Sequence, residues 1–238
     1  MKPAHLLIAI LILLTACNIN FGKKVEGNGR LSTVTRNIAG ANEIHVSGSI
    51  VVELSQGEPG ISISADENLM EYIITEVKGD ELEIHYKSGV SVSSKNEVKI
   101  KVSMQQLNEA AVDGSGSIIS ASKFVSDGNI TVGVSGSGTI KLNANAPKIS
   151  AAISGSGNIE TTGETKDVKV DISGSGRFNS YSTMAENADI NISGSGKAYV
   201  FADVKLNANI SGSGTVYYKG KAENIVKSVS GSGDVIKE

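Results

Sequence analysis

The segment Ile153-Ser154-Gly155-Ser156-Gly157-Asn158-Ile159 returns nineteen residues later as Ile172-Ser173-Gly174-Ser175-Gly176-Arg177-Phe178, and this recurrence decides the fold. Seven Gly-Ser-Gly triplets begin at Gly114, Gly136, Gly155, Gly174, Gly194, Gly212 and Gly231, at spacings of 22, 19, 19, 20, 18 and 19 residues. A period of that length marks stacked units, none of which can bury its apolar face alone. Inside each unit apolar and polar residues alternate: Ile149, Ala151 and Ile153 lead into one triplet, Val168, Val170 and Ile172 into the next. Alternation of period two is the pattern of half-buried strands. Polar corners such as Thr162-Gly163-Glu164 separate the strands and absorb the changes in length at little cost. The expectation is an all-β chain in which residues 113–238 form a parallel β-solenoid with coils of about 19 residues. Coils paired about 4.8 Å apart would make a rod roughly 30 Å long over six steps. A barrel of up-and-down hairpins is the alternative, but hairpins do not require every unit to repeat one side-chain register.

The triplets have a geometric reading before any functional one. Two glycines around a serine let the chain take positive φ or approach a neighbouring backbone without a Cβ clash. Counting by twos from Ile153 reaches Gly155, Gly157 and Ile159, so an extended segment would turn its glycines inward. Gly155, Gly157, Gly174, Gly176, Gly194 and Gly196 are therefore the expected turn glycines. Ser156, Ser175, Ser195, Ser213 and Ser232 would form an exposed hydroxyl ladder, beside a second ladder that includes Ser154. Such a ladder could bind a sugar polymer, or serve only the geometry of the corner.

Residues 37–112 read as β structure without the repeat. Ile44 and Val46, Val52 and Leu54, Ile61 and Ile63, Leu82 and Ile84, and Val98, Ile100 and Val102 alternate with polar neighbours. Between them, Leu69, Met70, Ile73, Ile74 and Val77 fall at helical spacing. The expectation is a short helix over 67–77, with Asp66 as N-cap and Lys78-Gly79 as its stop, lying over an edge or end of the β structure. The Ser-rich stretch 88–96 is expected to be a solvated loop.

Composition narrows the function. With 39% hydrophobic but only 4% aromatic residues and no Trp, the core must be aliphatic and narrow. A net charge of −3 gives no basic field for nucleic acid. Residues 1–16 read as a signal peptide, with Lys2 as the positive start and Leu6 to Leu14 as an apolar run too short to anchor in a bilayer. Leu14-Thr15-Ala16-Cys17 resembles a bacterial lipobox, which would make Cys17 the acylated first residue and residues 17–36 a tether. An ordinary signal peptide with an incidental cysteine is the other reading. Cys17 is the sole cysteine, so no disulfide can form within the chain.

Candidates for chemistry fail on residue type or spacing. His5, His45 and His85 have no metal-ligand spacing, so neither a metal nor a cofactor is expected. The phosphate-cradling glycine motifs and the G-x-S-x-G nucleophile elbow do not occur. Asp167, Asp171 and Asp189 make one modest acidic stripe that a solvated face explains. A solenoid hydrolase or lyase acting through Asp171 or Asp189 is the least favoured function.

The lipobox, Ile44-His45-Val46-Ser47-Gly48-Ser49, Ala65-Asp66-Glu67-Asn68-Leu69 and the serial Ser-Gly-Ser-Gly motifs together resemble the auto-transporter adhesin head GIN domain family, common in Bacteroidetes. The resemblance covers residue 37 to the end of the chain and implies a β-helix-like fold in an exported, often lipid-anchored protein. It supplies adhesion by family name and no catalytic residues. The expected function is thus non-catalytic binding of a glycan or of a matrix or surface component, from a lipid anchor in the cell envelope, with the outer membrane as the expected site. An envelope assembly protein that self-associates into homo-oligomers is the alternative.

Overall fold

A computed structural model describes residues 22–38 and 40–238, so Cys17 and the signal segment lie outside the described residues. The strands are β1 (Lys23–Glu26), β2 (Leu31–Arg36), β3 (Glu43–Gly48), β4 (Val51–Gln56), β5 (Gly60–Asp66), β6 (Ile73–Lys78), β7 (Glu81–Tyr86), β8 (Val90–Ser93) and β9 (Lys99–Met104). They continue as β10 (Glu109–Gly114), β11 (Ser117–Ser120), β12 (Phe124–Val125), β13 (Ile130–Gly136), β14 (Thr139–Gly155), β15 (Asn158–Gly174) and β16 (Arg177–Gly194). β17 (Lys197–Phe201), β18 (Lys205–Gly212), β19 (Thr215–Lys219), β20 (Asn224–Gly231) and β21 (Asp234–Lys237) complete the series. Nineteen of these strands form one sheet that wraps around the core as a β-solenoid of about seven turns.

Each coil carries two flanks joined by two corners. The first flank stacks β3, β10, β13, the second halves of β14, β15 and β16, then β18 and β20, all in parallel. The second flank stacks β4, β11, the first halves of β14 to β16, then β17, β19 and β21, again in parallel. The register is continuous from triplet to triplet: Gly114 pairs with Gly136, Gly136 with Gly155, Gly155 with Gly174, and onward to Gly231. Aliphatics therefore fall into inward columns, as with Ile153, Ile172 and Ile192, each only 2% exposed. Burying one such side chain contributes about 1.5–3 kcal/mol, and Phe124 and Phe178 are the bulkiest of the fully buried side chains. The 20-residue coil accommodates its extra residue as a register shift near Glu160 and Thr162.

The stacking extends back beyond the triplets. Ile44-His45-Val46-Ser47-Gly48 of β3 pairs residue for residue with β10, and Gly48 pairs with Gly114. β7 and β9 lie in parallel under β3 and β4, forming a further coil without a triplet. Outside that coil the pairing turns antiparallel: β6 against β7, β5 against β9, and β2 against β5.

Three local expectations are corrected here. The helix expected over 67–77 is a single 3₁₀ segment, Glu67–Tyr72, and Ile73–Lys78 is strand β6. Ile73 and Ile74 are β-branched and gain a full ladder against β7, which outweighs a weak helical period. Asp66 makes no side-chain cap. It is buried and accepts hydrogen bonds from Ser94 Oγ at 3.0 Å, from the Lys95 N–H at 2.7 Å, and from the backbone and side chain of Asn96. Burial pushes its pKa up, but these donors together outweigh burial and hold the carboxyl below its ordinary value. The stretch 88–96 is thus not a free loop, since β8 pairs in parallel with β1 and Asp66 fastens its far end. β1 and β2 also lie inside the span expected to be a tether, where Val25 and Val34 set the alternation for pairing with β8 and β5.

Candidate functional site

The outer side of the first flank bears two neighbouring columns of small residues. One runs Asp113, Ser135, Ser154, Ser173, Ser193, Ser211, Ser230, a residue per coil. The other runs His45, Ala111, Gly133, Ala152, Asp171, Asn191, Asn209, Ser228. The inward columns between them hold large aliphatics, so the bulk of each strand points into the core and the outer side stays low. The result is an open groove of about 790 Å³ along the rod, floored by Ala111, Gly133 and Ala152 toward one end and by Asp171, Asn191 and Asn209 toward the other.

The amide half is tied from coil to coil. Asn191 Nδ2 donates to Asp171 Oδ1 at 2.9 Å, and Asn209 Nδ2 donates to Asn191 Oδ1 at 3.0 Å. Two residues back along the strands, Asn207 Nδ2 donates to Asp189 Oδ1 at 3.0 Å. Asp171 and Asp189 therefore lie in different columns, each engaged by an asparagine of the following coil. Lys169 Nζ is 3.5 Å from Asp171. At the other end His45 links three elements: Nδ1 lies 3.1 Å from Glu81 Oε1 and Nε2 lies 2.8 Å from Asp113 Oδ2. His85 instead contacts the carbonyl of Tyr86, so the two described histidines do not converge. Among the described residues no group of three His, Cys, Asp or Glu side chains could hold a metal ion.

The triplet corner follows the last groove-lining serine of each coil. Gly174 has φ +117°, and a Cβ on it would sit 2.5 Å from the Gly155 carbonyl oxygen. Gly155 and Gly194 share that conformation, with φ of 111° and 120°. Gly176 differs: its φ is ordinary, it is buried, and a Cβ would strike Ile153 and lie 2.9 Å from Gly157 O. Gly157 and Gly196 are buried in the same way. The inward turn expected of the glycines thus belongs to the second of each pair, while the first makes the bend.

Ser156, Ser175, Ser195, Ser213 and Ser232 are all exposed at this corner. The N–H groups of Ser156, Ser175, Ser195 and Ser213 each donate to the first glycine carbonyl of the preceding coil at 2.8 Å. The corner is consequently knitted through its backbone, leaving the hydroxyls outward. The groove is lined by the serine before each triplet and not by the triplet serine itself. Strand parity, which turns Ser154 outward, is the signal for that column.

A second surface feature is an aromatic column on the outer side of the second flank. Tyr199 and Tyr217 stack with centroids 4.9 Å apart and planes 7° from parallel, and Tyr181 meets Tyr199 edge-on at 5.5 Å. Tyr181 donates its hydroxyl to Glu238 Oε2 at 2.9 Å, and Lys219 Nζ lies 4.3 Å from its ring centre. Burial, with the Glu238 carboxylate beside it, pushes the Tyr181 hydroxyl far up. Tyr199 and Tyr217 each have one face covered by the other, which suits them less to sugar stacking than an open ring would.

Fold and groove together define a parallel β-solenoid with a lengthwise groove of small and polar residues. The chain belongs to the family described as "Putative auto-transporter adhesin, head GIN domain", matched over residues 41–222. Solved structures are similar over nearly the whole chain. One is a "putative lipid binding protein" of Parabacteroides distasonis, with 32% identity, covering 91% of this chain and 100% of that one at a TM-score of 0.74. A "putative adhesin" of the same species shows 27% identity, with coverage of 91% and 100% and a TM-score of 0.66. A "putative adhesin" of Bacteroides fragilis, at 19% identity with coverage of 90% and 100%, shares the fold at a TM-score of 0.82. No curated protein matches the chain.

Proposed function

We propose that this chain is a non-catalytic adhesin of the cell envelope that binds an extended glycan, presented on the cell or in a matrix, along the groove of its first flank. The observation that carries the reading is the continuity of the groove, whose outward columns keep one small or polar residue per coil. A chain of repeating sugars laid along the rod would meet one coil per step. Its hydroxyls would exchange hydrogen bonds with the Asp171, Asn191 and Asn209 ladder and with Ser154, Ser173 and Ser193. The triplet serines Ser156, Ser175, Ser195, Ser213 and Ser232 are exposed at the adjoining corner, outside the groove lining. Export and anchoring are assigned to residues 1–16 and an acylated Cys17, with the outer membrane as the destination. Several acyl chains would hold firmly at about 0.8 kcal/mol per buried CH₂. Among the described residues no helix is long and apolar enough to cross a membrane.

The decisive experiment screens the purified lipoprotein in detergent against immobilised glycans and matrix proteins, with Ala152→Trp and Asn191→Leu beside it. A saturable glycan hit should weaken at least about tenfold in each variant, a loss of roughly 1.4 kcal/mol. Binding that survives Ala152→Trp unchanged would remove the groove from the mechanism, and no saturable hit with folded protein would remove the glycan. The Ala111, Gly133 and Ala152 half, together with the relative described as lipid binding, supports a second reading in which an acyl chain lies there. A fluorescent fatty acid displaced by Ala152→Trp but not by Asn191→Leu would select it. Cys17→Ser should release the protein from membranes.

A further inference from the structure

The inward column Val132, Ala151, Val170, Ile190, Ala208 is aliphatic through five coils, and the next residue in register is Lys227. A cation thus occupies a core-facing position of β20, flanked on the same side of that strand by Ile225 and Val229. Its ammonium group crosses to the other flank, where Nζ donates to the Val235 carbonyl of β21 at 2.9 Å and lies 5.9 Å from the centre of the Tyr218 ring. Among the described residues β20 pairs only with β18, and β21 pairs only with β19. Among the described residues no strand covers their outer edges, and Val229, at an inward position, is 43% exposed.

Every coil interface in the rod is made by laying one such end face on another in register. The end face at β20 and β21 is accordingly a template for strand pairing, with an apolar centre and two open backbone edges. An inward-pointing charge is one of the devices that keep such an edge from recruiting another strand, because pairing would bury the ammonium group. We propose that Lys227 is a plug that closes this end of the rod against a second copy of the chain. Without the charge, two copies would join through the same end face, β20 against β20 about a two-fold axis, an arrangement that closes as a dimer.

Sedimentation of the full chain carrying Cys17→Ser, so that acyl groups do not gather copies, tests the plug. This parent should stay monomeric across the accessible concentration range. Lys227→Val, and Lys227→Met, which keeps the length of the side chain over Tyr218, should double in mass with rising concentration, while Lys227→Arg should not. Self-association of the parent would overturn the proposal. So would Val and Met variants that keep the parent's circular dichroism and remain monomeric at the highest concentration, or an Arg variant that dimerises as they do.

Discussion

Adding one methyl group at Gly174 should damage the fold far more than deleting the hydroxyl next to it. In Gly174→Ala the backbone would hold an L-residue at φ +117°, a region that costs about 1–3 kcal/mol. The new Cβ would also lie 2.5 Å from the Gly155 oxygen and 3.2 Å from that residue's carbon and nitrogen. Adjacent coils would have to separate at the corner, a further cost of about 1–3 kcal/mol by analogy with overpacked cores. The sum is roughly 2–6 kcal/mol. Gly176→Ala carries only the steric part, about 1–3 kcal/mol, against Ile153 and the Gly157 oxygen. Ser175→Ala leaves the N–H bond to Gly155 untouched and should fall within about 0.5 kcal/mol of the parent. Urea titrations followed by circular dichroism would read the three as shifts of midpoint at constant slope. Equal shifts for Gly174→Ala and Ser175→Ala would refute the account of the corner.

Two further outcomes follow from the core and from the far end of the rod. Ile172→Ala should lose about 2–5 kcal/mol, measured by the same titration, because Ile172 is 2% exposed and the coils on both sides limit collapse of the cavity. Asp66, whose folded pKa is depressed, contributes stability that is complete above the ordinary carboxylate range and is lost as pH falls through the lower folded value. The protection of the Lys95 and Asn96 amides, measured against their intrinsic exchange at each pH, should therefore fall on acidification, and in Asp66→Asn it should be lower already at neutral pH. Protection that ignores both pH and the substitution would sink that assignment.

Much of this architecture is legible because the period and the strand parity agree. The spacing of the triplets and the alternation around Ile153 and Ile172 place the inward columns, and continuing the count through the triplet separates Ser154 and Ser156 outward from Gly157 inward. The groove is harder to see, since it depends on which outward residues are small, and Ala152 or Gly133 carry no motif. Ile44 to Ser49 shares the frame of the later coils, but Ile50 stands where their second glycine stands, which hides the kinship in a search for triplets. The coil made by β7 and β9 has no triplet at all and stacks out of chain order, so sequence spacing cannot report it. The helical period at 67–77 misleads because the partner that claims Ile73 and Ile74 is a strand supplied later in the chain. The tyrosine column is a matter of register alone, with Tyr199 and Tyr217 brought face to face by coils of matching length.

The placement of β3 has a consequence for biogenesis. It is flanked by β7 on one side and β10 on the other, and both follow it in the chain. A polypeptide emerging from a secretion channel N-terminus first delivers the strands on the β7 side before any triplet appears. That side can be finished early, leaving the opposite edge of β3 as a single seed. Each newly delivered coil then needs to find only the one before it, some nineteen residues back, so that the entropic cost of closure stays small at every step. On the export proposed above, threading would make growth one-directional, in the sense in which the chain emerges.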